Sequence, residues 1–475
     1  MQGKKRVLFY LVDGAHSEVL PELLEKGLLP NIKRIVDEGT MRKATTCFPS
    51  TTGSAYLPFL TGHFPGSMGV TGIRWFDKKE FKRTRLNKYA MRSYCGPEAA
   101  WFNTDMPAEK KTLFELLGET YNLNSMVTRG VAAERDLMAK GKSKLYIRAH
   151  FFQEHHNVDE ESHRRLMTML RSGKDFDFIF FVLPSVDWDS HMFDVRDEKT
   201  VAAYQIADNS LGEVRGELEK KGWWDDTLFI LTSDHGLTAT QHHLDIGDWL
   251  TENGLKCLTY PVIWRRKPKS VVMISGNSFG SVHLLNHTGD HVLRETALKA
   301  LMGGERLTKF LNEKAIDFIA YRGDQENTFI VQNKDGQGTV THIDGKYGYD
   351  PGTSDPLKLG KAFEVAGHRE ALEATFDSEY PDSLVQITQL FSSVRAGDFV
   401  VSASIGYDLR DFWEYPEHKG SHGSLHKSHI HVPLIYNQKN WKTHQVRTAD
   451  VFSTILQWKG ITGIPSEGES LIDGD

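Results

Sequence analysis

Cysteine is scarce in this chain of 475 residues. Cys47, Cys95 and Cys257 are odd in number and far apart, which excludes a disulfide framework and predicts reduced, structural thiols. Long apolar runs are also missing. The longest, Phe178 to Pro184, is far too short to cross a bilayer, so no transmembrane segment is expected. Nor is there a long run of one charge: 57 Lys and Arg are interspersed with 63 Asp and Glu, for a formal charge of -6. That balance excludes tight binding of a nucleic-acid polymer through phosphate neutralisation. Lys4, Lys5 and Arg6 before Val7 to Val12 imitate the start of a signal peptide, but no small-residue cleavage site follows and Asp13 closes the run. The expectation is a buried first strand in a cytoplasmic protein. Internal repeats and low-complexity segments are absent as well.

What is present suits an ordinary globular core, with 39% hydrophobic and 25% charged residues. Three apolar runs each end near an acidic residue: Val7 to Val12 before Asp13, Phe176 to Val186 before Asp187, and Thr227 to Ser233 before Asp234. Continuous apolar runs of this length fit strands buried on both faces of a mostly parallel sheet. Between the second and third, Tyr204, Ala207, Leu211, Val214 and Leu218 recur at helical spacing, and Gly222 supplies a stop. Strand–helix alternation predicts an α/β fold, a doubly wound and mostly parallel sheet sandwiched by helices. Ligands in such sheets bind beyond the carboxyl ends of the strands, so the three acidic residues should share one crevice.

After about residue 245 the pattern changes to short strands with Gly- and Asn-containing turns: Val271 to Ile274, Ser281 to Leu285, and Thr328 to Gln332. The core pattern is expected to resume at Asp398 to Ala403 and Val432 to Tyr436, with a closing helix from about Thr448 to Trp458. This divides the chain into a catalytic core, 1–245 and 396–475, and an inserted α+β cap, 246–395. A smaller insertion occupies about 74–110.

Four clusters carry chemistry. Asp187-Trp188-Asp189-Ser190-His191 sets a carboxylate four positions from an imidazole, just beyond a strand. Ser233-Asp234-His235-Gly236 stands at another strand end, and Gly420-Ser421-His422-Gly423 lies in a Gly-flanked loop. Carboxylate and imidazole are the donors zinc takes where cysteine is absent. The fourth cluster is Phe48-Pro49-Ser50-Thr51-Thr52-Gly53-Ser54, before a short apolar helix that ends at Thr61-Gly62. A hydroxyl there is first of all an N-cap, but the same geometry aims a hydroxyl and helix N–H groups at a phosphate.

In that order, an early Asp, a threonine loop, D-x-x-x-H, SDHG and a late GxHG, the chain resembles the alkaline phosphatase superfamily. Within it, the chain is most similar to the type I phosphodiesterase/nucleotide pyrophosphatase branch, over about 6–245 and 396–470. The resemblance implies two zinc ions, with manganese or iron as substitutes. One would be held by Asp13, Thr52, Asp234 and His235, the other by Asp187, His191 and His422. It also implies Thr52 as nucleophile, because the family's nucleophile precedes its Thr-Gly pair by nine positions, as Thr52 precedes Thr61 (61 − 52). Cys47-Phe48-Pro49-Ser50 superficially resembles a sulfatase signature, but its cysteine is out of that register and Thr51 replaces the required arginine. The branch's phosphate-binding asparagine would fall on Ile73; the adjacent Arg74 could take over with a bidentate fork.

The expected activity is hydrolysis of a small phosphate ester, a diester first, through a phosphothreonine intermediate. A phosphomonoesterase or phosphonate hydrolase is the alternative, and a metal-stabilised binding protein the non-enzymatic one. A monoester adds charge that would demand more cationic groups than the sequence offers. The backbone N–H of Gly53 or Ser54 is the candidate for stabilising charge on the phosphate. His242, His243, His418, His426, His429 and His431 are expected to be supporting or surface groups, and Trp75, Phe76, Tyr94, Trp101 and Phe102 to pack in the core or line a leaving-group pocket.

Overall fold

A computed structural model describes residues 3–83, 90–260, 267–285, 292–410 and 417–473. Parts of the expected insertions, 84–89, 261–266 and 286–291, therefore lie outside the described residues, as does 411–416 of the expected core. At the centre is a seven-stranded sheet. Its order is Val446–Arg447, Thr40–Thr45, His431–Tyr436, Thr227–Thr232, Arg6–Val12, Phe178–Leu183 and Thr120–Leu123. The last four run parallel to one another, and His431–Tyr436 is antiparallel to both of its neighbours.

Alternation along the first strand shows why the sheet is covered on both faces. Leu8, Tyr10 and Val12 pack with Leu20, Ile32, Leu166, Tyr204 and Leu211, from helices on one side. Val7, Phe9 and Leu11 pack with Leu57, Phe59, Phe114 and Phe452 on the other. Side chains along a strand point alternately to its two faces, so every residue of this strand is buried. The helix expected from Tyr204 to Leu218 is there as Glu198–Lys220, with all five spaced residues buried, and the closing helix is Thr448–Trp458. The α/β, doubly wound architecture is as expected.

Two strand expectations are corrected. The run Phe176 to Val186 is a strand only over Phe178–Leu183; Pro184, which has no N–H to give a ladder, begins the helix Ser185–Met192. The strand Phe399–Ala403 does not rejoin the core sheet. It lies inside a second, nine-stranded sheet, between Phe279–Leu284 and Ile316–Arg322. Its residues are buried on both faces: Val400 joins one apolar cluster, Phe399 and Val401 another. Burial of that kind reads the same in either sheet. The hairpins expected between residues 271 and 332 are present and antiparallel. None of the three cysteines is in a disulfide, and Cys47 is fully buried. Among the described residues, no helix is long and apolar enough to cross a membrane.

Candidate active site

Three adjacent parallel strands deliver the acidic residues. Asp13 follows Arg6–Val12, Asp234 follows Thr227–Thr232 after one serine, and Asp187 sits in the first turn of the helix after Phe178–Leu183. All three are buried. On that helix His191 lies one turn beyond Asp187, so the two share a face, with Nε2 3.4 Å from Asp187 Oδ1. His235 Nε2 is 3.4 Å from both Asp13 Oδ1 and Asp234 Oδ2. His422 Nε2 is 4.0 Å from Asp187 Oδ1, and its ring stacks on that of His235 with centroids 3.6 Å apart. Thr52 Oγ1 meets this group directly, 3.0 Å from His235 Nε2 and 3.4 Å from Asp13 Oδ1. Residues separated by as much as 409 positions in sequence (422 − 13) thus converge in one cleft.

The imidazoles are oriented from behind. Nδ1 of His191 faces the Gly420 carbonyl at 2.7 Å, Nδ1 of His422 the Ser50 carbonyl at 2.8 Å, and Nδ1 of His235 the Gly236 carbonyl at 3.1 Å. A carbonyl can only accept, so each Nδ1 carries the proton and each Nε2 turns a lone pair inward. Burial, then the neighbouring His235, holds the His422 pKa far below the usual imidazole range. Burial, reinforced by the Asp234 and Asp187 charges, lifts the Asp13 carboxyl well above its usual value. Asp187 goes the other way: burial acts to raise it, but the adjacent His191 imidazole, with those of His422 and His235 beyond it, prevails.

Such a cluster asks for cations. Asp187 Oδ1 and both carboxylate oxygens of Asp234 are buried yet accept no hydrogen bond, an expensive state for charged groups. Ligand atoms of Asp187, His191 and His422 lie within 4.8 Å of one another, as do those of Asp13, Asp187 and His235. Asp187 borders both groups, and the donors are imidazole nitrogen and carboxylate oxygen, a set suited to zinc and to manganese or iron.

Around the threonine, none of the hydroxyls caps the following helical turn: its N-cap is Gly53, at φ +86°. A Cβ there would lie 2.6 Å from Met126 Sδ, so both the backbone and the space call for glycine. Arg74 Nε donates to the Ser93 hydroxyl and Nη1 to the Ile274 carbonyl. His242, His243, His426, His429 and His431 pair elsewhere or lie in strands, while the His418 ring sits 4.7 Å from that of His191. Trp75, Phe76, Tyr94 and Phe102 are core residues, and Trp101 is exposed.

Several supporting residues carry no motif. Tyr56 donates its hydroxyl to Asp13 Oδ2 at 2.8 Å; only its place four residues after Thr52, one helical turn on, hints at this. Gln386 and Gln389, from the helix Ser383–Phe391, hold the N–H and the carbonyl of Phe48 and so brace the threonine loop. Asp189 is clamped between His155 Nδ1 at 2.6 Å and His156 Nε2 at 2.7 Å. The turn Gly276–Asn277 of the second sheet pairs with the backbone of His422.

The type I phosphodiesterase/nucleotide pyrophosphatase family matches residues 7–425. No curated protein sequence matches. Among solved structures, murine ectonucleotide pyrophosphatase/phosphodiesterase 5 in complex with AMP is 12% identical, with a TM-score of 0.59 over 98% of this chain and 97% of that one. Phosphonoacetate hydrolase from Sinorhizobium meliloti is 15% identical, with a TM-score of 0.56 over 96% of each chain. At these identities the two neighbours speak for the fold, and the family match carries the assignment: the chain belongs to the type I phosphodiesterase/nucleotide pyrophosphatase family and is a phosphoric ester hydrolase of the alkaline phosphatase superfamily.

Proposed function

We propose that this protein hydrolyses small phosphate diesters, with Thr52 as nucleophile, at a site for two divalent cations. The observation that carries the reading is the contact of Thr52 Oγ1 with His235 and Asp13, beside Asp187 Oδ1 and the two Asp234 oxygens, which are buried and accept no hydrogen bond. Asp13, Thr52, Asp234 and His235 would hold one zinc, and Asp187, His191 and His422 the other. When bound, the pair would make the threonine hydroxyl more acidic and offset charge on the attacking and leaving oxygens.

The chain's own residues do the rest. Thr52 Oγ1 attacks phosphorus in line, the bond to the leaving oxygen breaks, and a phosphothreonine ester remains. Water then attacks that phosphorus and restores the hydroxyl. The Gly53 N–H, at the turn after the nucleophile, stabilises a non-bridging oxygen. Arg74 is proposed as a further phosphate contact, one that requires it to exchange Ser93 and Ile274 for the substrate. Segment 246–395, together with Phe399–Ala403, serves as the cap, its turn at Gly276–Asn277 resting on His422. The three cysteines, none joined in a disulfide, support a reducing, cytoplasmic setting.

Phosphonate hydrolysis is the second reading, supported by the fold shared with an enzyme whose structure holds phosphonoformate. Both readings meet one experiment: assay of bis- and mono-p-nitrophenyl phosphate, a nucleotide diester and phosphonoacetate, with and without chelator. The diester should be preferred, the chelator should abolish turnover, and Thr52→Ala should remove nearly all activity without unfolding the chain. Turnover preserved within about tenfold in Thr52→Ala would place the nucleophile elsewhere.

A further inference from the structure

We propose that the helix Lys142–Phe152 docks the protein onto an anionic lipid surface, beside the mouth of the active site. Among the described residues, eight large hydrophobic side chains are exposed, and three of them, Ile147, Phe151 and Phe152, lie on this one helix of 11 residues. Phe151 and Phe152 are the most exposed of all, at 72% and 69%, with Ile147 at 56%. Such clustering sets them apart from the single exposed apolar residues that any surface carries.

Helical spacing orders the face. Ile147 and Phe151 stand one turn apart on one stripe, with the exposed Lys144 and Arg148 beside it. On the opposite side Ala149 is buried, and the Tyr146 ring meets the edge of Trp188 at 5.0 Å. Trp188 lies between Asp187 and Asp189, so the helix is one side chain removed from the cleft.

Charge decides what fits there. Although the whole chain carries -6, the stretch from Ala139 to Gln153 holds Lys140, Lys142, Lys144 and Arg148 and no acidic residue. Lys142 turns inward to the Asn124 carbonyl; Lys140, Lys144 and Arg148 are exposed, and Arg148 reaches Glu154. A second copy of the chain, joined face to face, would set these cations against their own counterparts. An anionic bilayer satisfies both features: the rings enter the boundary between headgroups and acyl chains, and the cations lie over headgroup phosphates.

The test is flotation of the full-length protein with phosphatidylcholine vesicles, with and without phosphatidylserine. Wild type should bind the phosphatidylserine vesicles, less so as salt rises. The double variant Phe151→Ser/Phe152→Ser and the single variant Lys144→Glu should each bind about tenfold more weakly. Hydrolysis of soluble bis-p-nitrophenyl phosphate should be unchanged in both variants, since none of the three residues belongs to the catalytic cluster. Wild type that stays unbound, or a double variant that binds as well as wild type, overturns the proposal. So does a wild-type dimer in solution that the double variant breaks, because the occupant would then be a second copy. Failure of wild type to hydrolyse the soluble diester, with vesicle binding intact, would count against the phosphodiesterase reading alone.

Discussion

Replacing Tyr56 by Phe removes one oxygen from behind the site and little else. The ring is buried, packs against the edge of Phe180 with centroids 6.0 Å apart, and belongs to the cluster that holds Leu57 and Phe59. Phe keeps that packing. What disappears is the 2.8 Å hydrogen bond to Asp13 Oδ2, the bond that leaves Oδ1 facing Thr52 and His235. Burial, then the charge of Asp13, holds the Tyr56 pKa well above its ordinary value, so the phenol remains a donor throughout the neutral range. A hydrogen bond to a charged group contributes about 1.5–3 kcal/mol, roughly a factor of 10 to 100. Tyr56→Phe should therefore weaken metal binding on the Asp13 side by about 10- to 100-fold. Turnover should fall at limiting zinc and recover when zinc is in excess. Chelator-competition titration reads the affinity, and assays over a range of zinc concentration read the recovery. Unchanged affinity together with unchanged turnover would refute the idea that Tyr56 orients Asp13.

Three further outcomes follow from the same geometry. Gly53→Ala, at φ +86° and with Met126 Sδ in the way, should lower stability by about 1–3 kcal/mol in urea unfolding and depress kcat; an unaltered unfolding midpoint would mean the turn tolerates a side chain. Arg74→Ala should raise KM for bis-p-nitrophenyl phosphate about tenfold if Arg74 reaches the phosphate, whereas lost stability with KM unchanged would make it a strut between Ser93 and Ile274. Asp159 provides a pH test, because burial lifts its carboxyl to about 8, with Ser185 only partly offsetting this. In the unfolded chain the value is about 3.9. The folded state thus favours the neutral acid, and stability is lost as pH rises from about 4 through about 8. Asp159→Asn, uncharged throughout, should gain a stability advantage over wild type that grows across this window; a difference flat with pH would contradict the burial argument.

The parts of the fold that could be read in advance are those where local pattern and burial coincide. Val7 to Val12 and Leu228 to Leu231 are apolar throughout because helices cover both faces of the sheet, and acidic residues follow shortly after their ends. The strand Phe399–Ala403 could not be allotted by the same logic, since a residue run buried in one sheet looks like a run buried in another; only its partners, Phe279–Leu284 and Ile316–Arg322, distinguish them. In the site, Asp187 and His191 share a helix face, and Asp234 and His235 are neighbours, so spacing revealed them. His422 was legible only through its glycine-flanked motif. Tyr56, Gln386 and Gln389 were not legible, because what they contribute is a single hydrogen bond across the tertiary structure, and no spacing encodes that.

The turn at Gly276–Asn277 has a consequence for dissecting the molecule. His422 donates its N–H to the Gly276 carbonyl at 2.7 Å and accepts from the Ser278 N–H at 2.8 Å, so a hairpin of the nine-stranded sheet grips the loop on both sides. At Gly276, any added Cβ would fall 2.6 Å from the His422 ring. Shortening or swapping that hairpin would release an imidazole that belongs, by sequence, to a different part of the chain. A polypeptide cut after residue 245 would retain Asp13, Thr52, Asp187, His191, Asp234 and His235, yet forfeit both His422 and the hairpin that anchors it.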